Sequence, residues 1–366
     1  MRTFYFTLFF VCAFANNSNA QSKLKPGFDA KEYLSLFSLF YFGSSIPDSN
    51  LRKTVADPFK RLYRSPEVGL KNQWSLYLSN ENAAVISIRG TIGDKVSWLA
   101  NFYAAMIPAI GSLHMNDSTQ FNYKLSADSM ATVHVGWTVS MASMAPDIVQ
   151  KIKELRAKDV TDFYIFGHSQ GGAIAFLLRS YLHYLQQDGN LPGDIRFKTY
   201  CSAAPKPGNM YYAYDYENIT RDGWGFTIVN RKDWVPESPY TIQRIQDMNI
   251  PNPLINTKKL LKKEKFGVRL IGGILFGRVN RKPQKAQKMY TKYLGKTIYK
   301  LAIKDALPGF KQPEYVASNN YMRAGSPIVL MPDEAYQQRF KEDGKDQFVH
   351  HHFAPYYYLI QKHYPQ

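Results

Sequence analysis

The stretch Phe163-Tyr164-Ile165-Phe166-Gly167-His168-Ser169-Gln170-Gly171-Gly172-Ala173 decides how this chain is read. Its first four residues are aromatic or β-branched and bounded by polar and glycine signals, which predicts a short buried strand. The apolar run from Ala173 to Leu185 predicts a largely buried helix. Between them lies Gly-x-Ser-x-Gly. A serine at a sharp strand-to-helix turn sits in strained backbone and needs small neighbours, which Gly167 and Gly171 supply. Ser169 is therefore the candidate nucleophile, placed at the positive end of a helix. The bland alternative is a glycine-rich turn with a capping serine.

Working outward, Ala83 to Ile88, Phe197 to Cys201 and Phe226 to Val229 read as further buried strands. Helical patterns separate them, one starting near Asp147. Strands alternating with helices imply an α/β fold with a mainly parallel central sheet and helices on both faces. In such sheets the chemistry gathers beyond the carboxyl ends of the strands. That directs attention to Arg89-Gly90-Thr91, to the serine motif, to Ser202-Ala203-Ala204-Pro205 and to Asn230-Arg231-Lys232-Asp233.

A serine hydroxyl needs a base to take its proton and a carboxylate to orient that base. On this kind of fold the chain order is serine, acid, histidine. Asp233, just past a strand end, is the best placed acid, whereas Asp215, Asp222, Asp247 and Asp305 read as solvated charges. Order excludes His114, His134, His168 and His183 as the base, leaving the run His350-His351-His352 and His363. One of the three consecutive histidines is expected to serve. A metal-binding tract is the alternative, though no cysteine or other obvious ligand accompanies the run.

Three stretches resemble the class 3 lipases, the family that includes the filamentous-fungal triacylglycerol lipases. These are Ile88-Arg89-Gly90-Thr91 with Trp98 beyond it, His134-Val135-Gly136-Trp137 through to the serine motif, and Ala203 to Asn209 followed by Val229-Asn230-Arg231-Lys232-Asp233-Trp234-Val235-Pro236. The likeness runs from about Ala83 to Pro239 plus a short terminal stretch. It implies an α/β-hydrolase fold and a secreted carboxylester hydrolase acting on lipid esters through an acyl-enzyme, with no cofactor and no metal. By the same resemblance Ser169 is the nucleophile, Asp233 the acid and His351 the base, with His352 as the alternative. Thr91 and the backbone N–H of Gln170 would form the oxyanion hole, binding charge that develops during acyl transfer. Gln170 stands where leucine is usual, and Lys206 where arginine is common. A phospholipase or other carboxylesterase, a protease or amidase, and a non-catalytic lipid-binding envelope protein are the competing functions.

The ends and the charge complete the picture. Arg2, an apolar run from Phe4 to Ala15 and a small-residue site ending at Ala20 read as a secretory signal peptide over 1–20, so a secreted or periplasmic location is expected. Residues 21–366 are expected to form a single hydrolase domain with a basic insertion at about 249–312. Without Cys12 only Cys201 remains, so no internal disulfide can form and stability must come from the core. The net charge of +17 is concentrated: Lys258 to Lys304 holds 15 lysines and arginines against one acid, Glu264. That block, broken by the apolar Leu270 to Phe276, suggests contact with an anionic membrane surface, with a solvated basic loop as the alternative. No nucleic-acid module accompanies the charge, so nucleic acid is not an expected partner. The oligomeric state is not indicated. Finally, Val96 to Ile110 carries Trp98, Phe102, Tyr103 and Met106 at near-helical spacing and reads as a lid or as a core helix.

Overall fold

The computed structural model describes residues 24–43 and 59–365. The signal-peptide reading of 1–20 lies outside them. Seven strands form the central sheet, and their order in space follows their order in the chain. They are β1 (Phe59–Arg64), β2 (Trp74–Ser79), β3 (Ala83–Ile88), β4 (Asp162–His168), β5 (Arg196–Ser202), β6 (Gly225–Asn230) and β7 (Ser326–Leu330). The first three pair antiparallel; from β3 onward every pairing is parallel.

Strand β4 shows why the sheet must be covered twice. Phe163 and Ile165 point into one apolar cluster, while Tyr164 and Phe166 point into another. Side chains alternate faces along a strand, so a strand apolar at every position needs helices above and below. On the first face lie α3 (Val135–Arg156) and α4 (Gln170–Gln187); on the second lie α1 (Ala30–Gly43) and α7 (Phe353–His363), with α2 (Lys95–Phe102) packed against α3. The mainly parallel sheet with helices on both faces, and the α/β-hydrolase fold expected from the sequence, are what the structure has.

Several local expectations need correction. The helix expected to start near Asp147 begins at Val135 and runs straight through Pro146. Nearly all its residues from Val135 to Ala145 are buried, so this half has no polar face to give a helical period. Val96 to Ile110 is not one helix: α2 ends at Phe102, and Met106–Pro108 is a strand of a small second sheet. Asp247, read as a solvated charge, is buried and accepts two hydrogen bonds from the Arg244 guanidinium, at 2.7 and 3.2 Å. The basic insertion is helical over much of its length, with α5 (Thr257–Leu261), a long α6 (Phe266–Tyr290) and π-helical turns over Thr291–Thr297 and Tyr299–Ile303.

The register of the parallel strands brings the functional segments together. Ile88 lies opposite Gly167, His168 opposite Ser202, and Ser202 opposite Ile228. The carboxyl ends of β3, β4, β5 and β6 therefore form one edge, on which the loops singled out from the sequence all emerge.

Candidate active site

Ser169 joins β4 to α4 with φ +59° and ψ −130°, a backbone conformation that a residue with a Cβ holds only when its surroundings enforce it. Those surroundings are glycine. A Cβ on Gly167 would lie 2.2 Å from the Gly171 carbonyl carbon, and one on Gly171 would lie 2.2 Å from the Ile88 carbonyl oxygen. The turn is closed by hydrogen bonds from Ser169 N to Ser202 O (2.9 Å) and from Gly172 N to Ser169 O (2.9 Å). Between Asp162 and Ser180, Ser169 is the one residue that is not buried. The sharp turn thus presents one hydroxyl-bearing residue to the surface from an otherwise closed core.

Asp233 is buried in the turn after β6, with Val235 N donating to Oδ1 at 3.0 Å. Its Oδ2 accepts from Tyr356 Oη–H at 2.8 Å and from His351 Nδ1 at 2.7 Å. A carboxylate can only accept, so Nδ1 of His351 carries a proton, and in the neutral ring Nε2 keeps its lone pair, the tautomer a general base requires.

The three consecutive histidines take three separate partners. His350 lies between Tyr336 Oη (2.8 Å from Nδ1) and Glu342 Oε1 (3.0 Å from Nε2), and its carbonyl accepts from Asn230 Nδ2 at 2.9 Å. His352 turns outward to Asp346 Oδ2 at 2.7 Å, with its side chain 57% exposed. Only His351 reaches the acid. The rings therefore do not converge as one ligand set, and among the described residues no group of three His, Cys, Asp or Glu is gathered for a metal ion.

His168, set aside as the base by chain order, has a different place. Its Nε2 lies 2.8 Å from the carbonyl oxygen of His351 and its Nδ1 lies 3.0 Å from Ser202 Oγ, which in turn is 2.7 Å from Tyr33 Oη. Burial, reinforced by the neighbouring His351, pushes the His168 pKa well below that of free imidazole, so the ring is neutral. A carbonyl cannot donate, so Nε2–H points at His351. Nδ1 then accepts from the Ser202 hydroxyl, and Tyr33 must donate to Ser202. The directions are all determined: Tyr33 to Ser202 to His168 to His351. Through this chain α1 holds the backbone of the histidine that faces Asp233, and brings its ring to 4.7 Å from that of His168, the residue before Ser169.

Thr91 and Gln170 are joined through Asn101 on α2. Asn101 Nδ2 donates to Thr91 Oγ1 at 3.0 Å, and its Oδ1 accepts from Gln170 Nε2 and Trp137 Nε1, each at 3.0 Å. Gln170 Nε2 also donates to Ser97 O at 3.0 Å. The glutamine that departs from the usual leucine thus clamps α2 onto the elbow. Asp94 caps the same helix by accepting from Val96 N. The outer face of α2 bears Trp98 and the half-exposed Phe102, stacked at 5.9 Å between centroids. Phe348 continues the row, 6.1 Å from Trp98, 5.3 Å from Trp234 and 5.9 Å from His351.

Sequence reasoning missed Tyr33, Asn101 and the structural part of His168. Ser202 had a local signal, as the first residue after a predicted strand, but no role was read for it.

The mainly parallel sheet and the strained serine turn between β4 and α4 together give the protein an α/β-hydrolase fold. Residues 85–243, somewhat less than half of the chain, match the family described as Lipase (class 3). Among similar proteins, a secreted mono- and diacylglycerol lipase of Fusarium solani is 27% identical over 178 residues, 47% of this chain and 45% of its own length. A counterpart from Malassezia globosa, the mono- and diacylglycerol lipase MDL4, is 25% identical over 186 residues, 50% of this chain and 56% of its own. The chain thus spans about half the length of the curated relatives it matches. Similar solved structures include the Rhizomucor miehei lipase propeptide complex (20% identity, TM-score 0.40, 57% of this chain and 62% of that one) and a Penicillium expansum triacylglycerol lipase (19% identity, TM-score 0.40, 58% and 76%).

Proposed function

We propose that this protein is an exported serine carboxylester hydrolase acting on lipid esters. Ser169 Oγ attacks the ester carbonyl while His351 Nε2 takes its proton, and Asp233 stabilises the resulting imidazolium. The alkoxide leaving group collects that proton from His351. Water, activated by the same imidazole, then cleaves the acyl-enzyme and restores Ser169. Thr91 and the Gln170 N–H stabilise the negative oxygen in both steps. The observation that carries the reading is the 2.7 Å bond between His351 Nδ1 and Asp233, made by a loop that is itself hydrogen-bonded to His168, the neighbour of Ser169.

An apolar acyl chain is supported by the aromatic row of Phe102, Trp98, Phe348 and Trp234, which borders the His351 ring and leaves Phe102 and Trp234 about half exposed. That two relatives are mono- and diacylglycerol lipases supports a glyceride as the ester. A fluorophosphonate probe should label the wild-type protein and not Ser169→Ala. The folded protein should also release p-nitrophenol from medium-chain esters faster than from acetate. Equal labelling of Ser169→Ala, or no labelling of the folded wild type, rejects the assignment and leaves a non-catalytic lipid-binding protein on the same fold.

A further inference from the structure

The helix α6 is unusual in what it leaves uncovered. Phe266, Leu270, Ile271, Ile274, Leu275 and Val279 are each between 46 and 72% exposed, a larger continuous apolar surface than scattered surface residues would make. Cations surround it. Lys258, Lys259, Lys262, Lys263 and Lys265 precede the helix or open it, while Arg278, Arg281, Lys282, Lys285 and Lys288 fill its second half. Among the described residues no helix is long and apolar enough to cross a membrane.

The element is rooted among the site's own loops. Gly295, one turn beyond α6, lies so close to Ala105 that a Cβ would meet its methyl at 2.8 Å. Gln287 accepts from Arg244 at 3.4 Å, and Tyr290 lies against Tyr240 at 6.2 Å between ring centroids. Ala105 follows α2, which leaves the end of β3; Tyr240 and Arg244 follow Asp233, beyond the end of β6. The base of α6 is therefore attached to the loops that carry Thr91 and Asp233, not to the opposite edge of the sheet.

We propose that α6 and its basic flanks dock this protein on anionic lipid surfaces, with the apolar side chains entering the headgroup boundary and the lysines and arginines meeting phosphate or carboxylate headgroups. The charge decides between occupants. A second copy would set 15 cations and one acid against the same array, so self-association through this face is opposed by repulsion. Nucleic acid would satisfy the cations but leave the apolar side chains in water. An anionic bilayer satisfies both. The inference deepens the esterase reading by naming the surface on which the ester is met, and it rests on that reading only for its consequence on turnover.

The test uses the full chain, with vesicles of phosphatidylcholine alone or mixed with phosphatidylglycerol. Wild-type protein should co-float with the mixed vesicles and much less with the neutral ones, and high salt should weaken the association. Combining I271S, I274S and L275S, or combining K258E, K259E, K262E and K263E, should reduce partition onto mixed vesicles more than tenfold, since the first removes apolar insertion and the second the attraction to anionic headgroups. Both variants should hydrolyse a short soluble ester within about twofold of wild type. Equal binding to neutral and anionic vesicles, or wild-type binding by both variants, overturns the proposal. So does a wild-type dimer that the serine variant dissolves, or duplex DNA held equally by both proteins. Vesicle binding without ester hydrolysis would leave the docking surface standing and reject the enzymatic reading.

Discussion

Replacing Ser202 with alanine would break the chain of hydrogen bonds that runs from α1 to His351. Ser202 is fully buried and bonds Tyr33 at 2.7 Å and His168 at 3.0 Å, so Ser202→Ala leaves both without that partner inside the core. Each orphaned group costs about 1–3 kcal/mol, roughly 2–6 kcal/mol together. A domain of ordinary stability survives that loss folded. The catalytic consequence follows from the next link, because the His168 ring loses one of its two attachments and its grip on the His351 carbonyl loosens. If about 1.4 kcal/mol of that loss is felt where His351 meets the serine, kcat falls about tenfold. KM for a short soluble ester should hardly move, since no substrate contact changes. Tyr33→Phe should be milder, costing about 1 kcal/mol and leaving kcat within about threefold, because Ser202 can still donate to His168. Ser202→Thr keeps the hydroxyl and should restore kcat. Urea unfolding and steady-state kinetics on one preparation provide both readouts. A Ser202→Ala protein that is destabilised but turns over at the wild-type rate would show that the chain serves folding alone.

Other perturbations test the strained turn and the buried imidazoles. Ser169→Gly should abolish hydrolysis and raise stability by about 1 kcal/mol in thermal unfolding, because glycine adopts φ +59° without the steric cost borne by serine. Ser169→Ala, which retains the Cβ, should show no such gain. Burial lowers the pKa of His168 well below 6.5 and that of His134 to about 3, so both rings are neutral in the fold and take up a proton on unfolding below their free value. Stability should therefore decrease as pH falls below about 6.5, by about 2 kcal/mol between pH 7 and pH 5 for His134, with His168 acting in the same direction. Unfolding midpoints across that range check the sign, and a flat profile would contradict the neutral state assigned to His168.

The elbow was legible because its requirements are local. A strand apolar at every position, two glycines and a serine, and an apolar helix occupy adjacent residues, and the steric rules that link them need no partner from elsewhere. The same holds for β3, β5 and β6, and for Asp233 just past a strand end. By contrast, the helix through Pro146 lacked a polar face to give it a period, and α1 carries no motif that ties it to a site more than 130 residues away. Asn101 was equally silent, since an asparagine on a short helix gains its meaning only from Thr91, Trp137 and Gln170 around it.

The histidine run marks the boundary most sharply. Read as a string, His350, His351 and His352 are chemically identical neighbours, and only likeness to a family singled out the middle one. In the fold Asn230 holds the first through its carbonyl, Asp233 takes the second, and Asp346 draws the third toward solvent. Local strain and hydrophobic pattern are properties of consecutive residues, so the chain by itself determined where the strained serine turn stands. Which imidazole faces the acid depends on groups more than a hundred positions apart meeting at one sheet edge, and only the tertiary structure decided that.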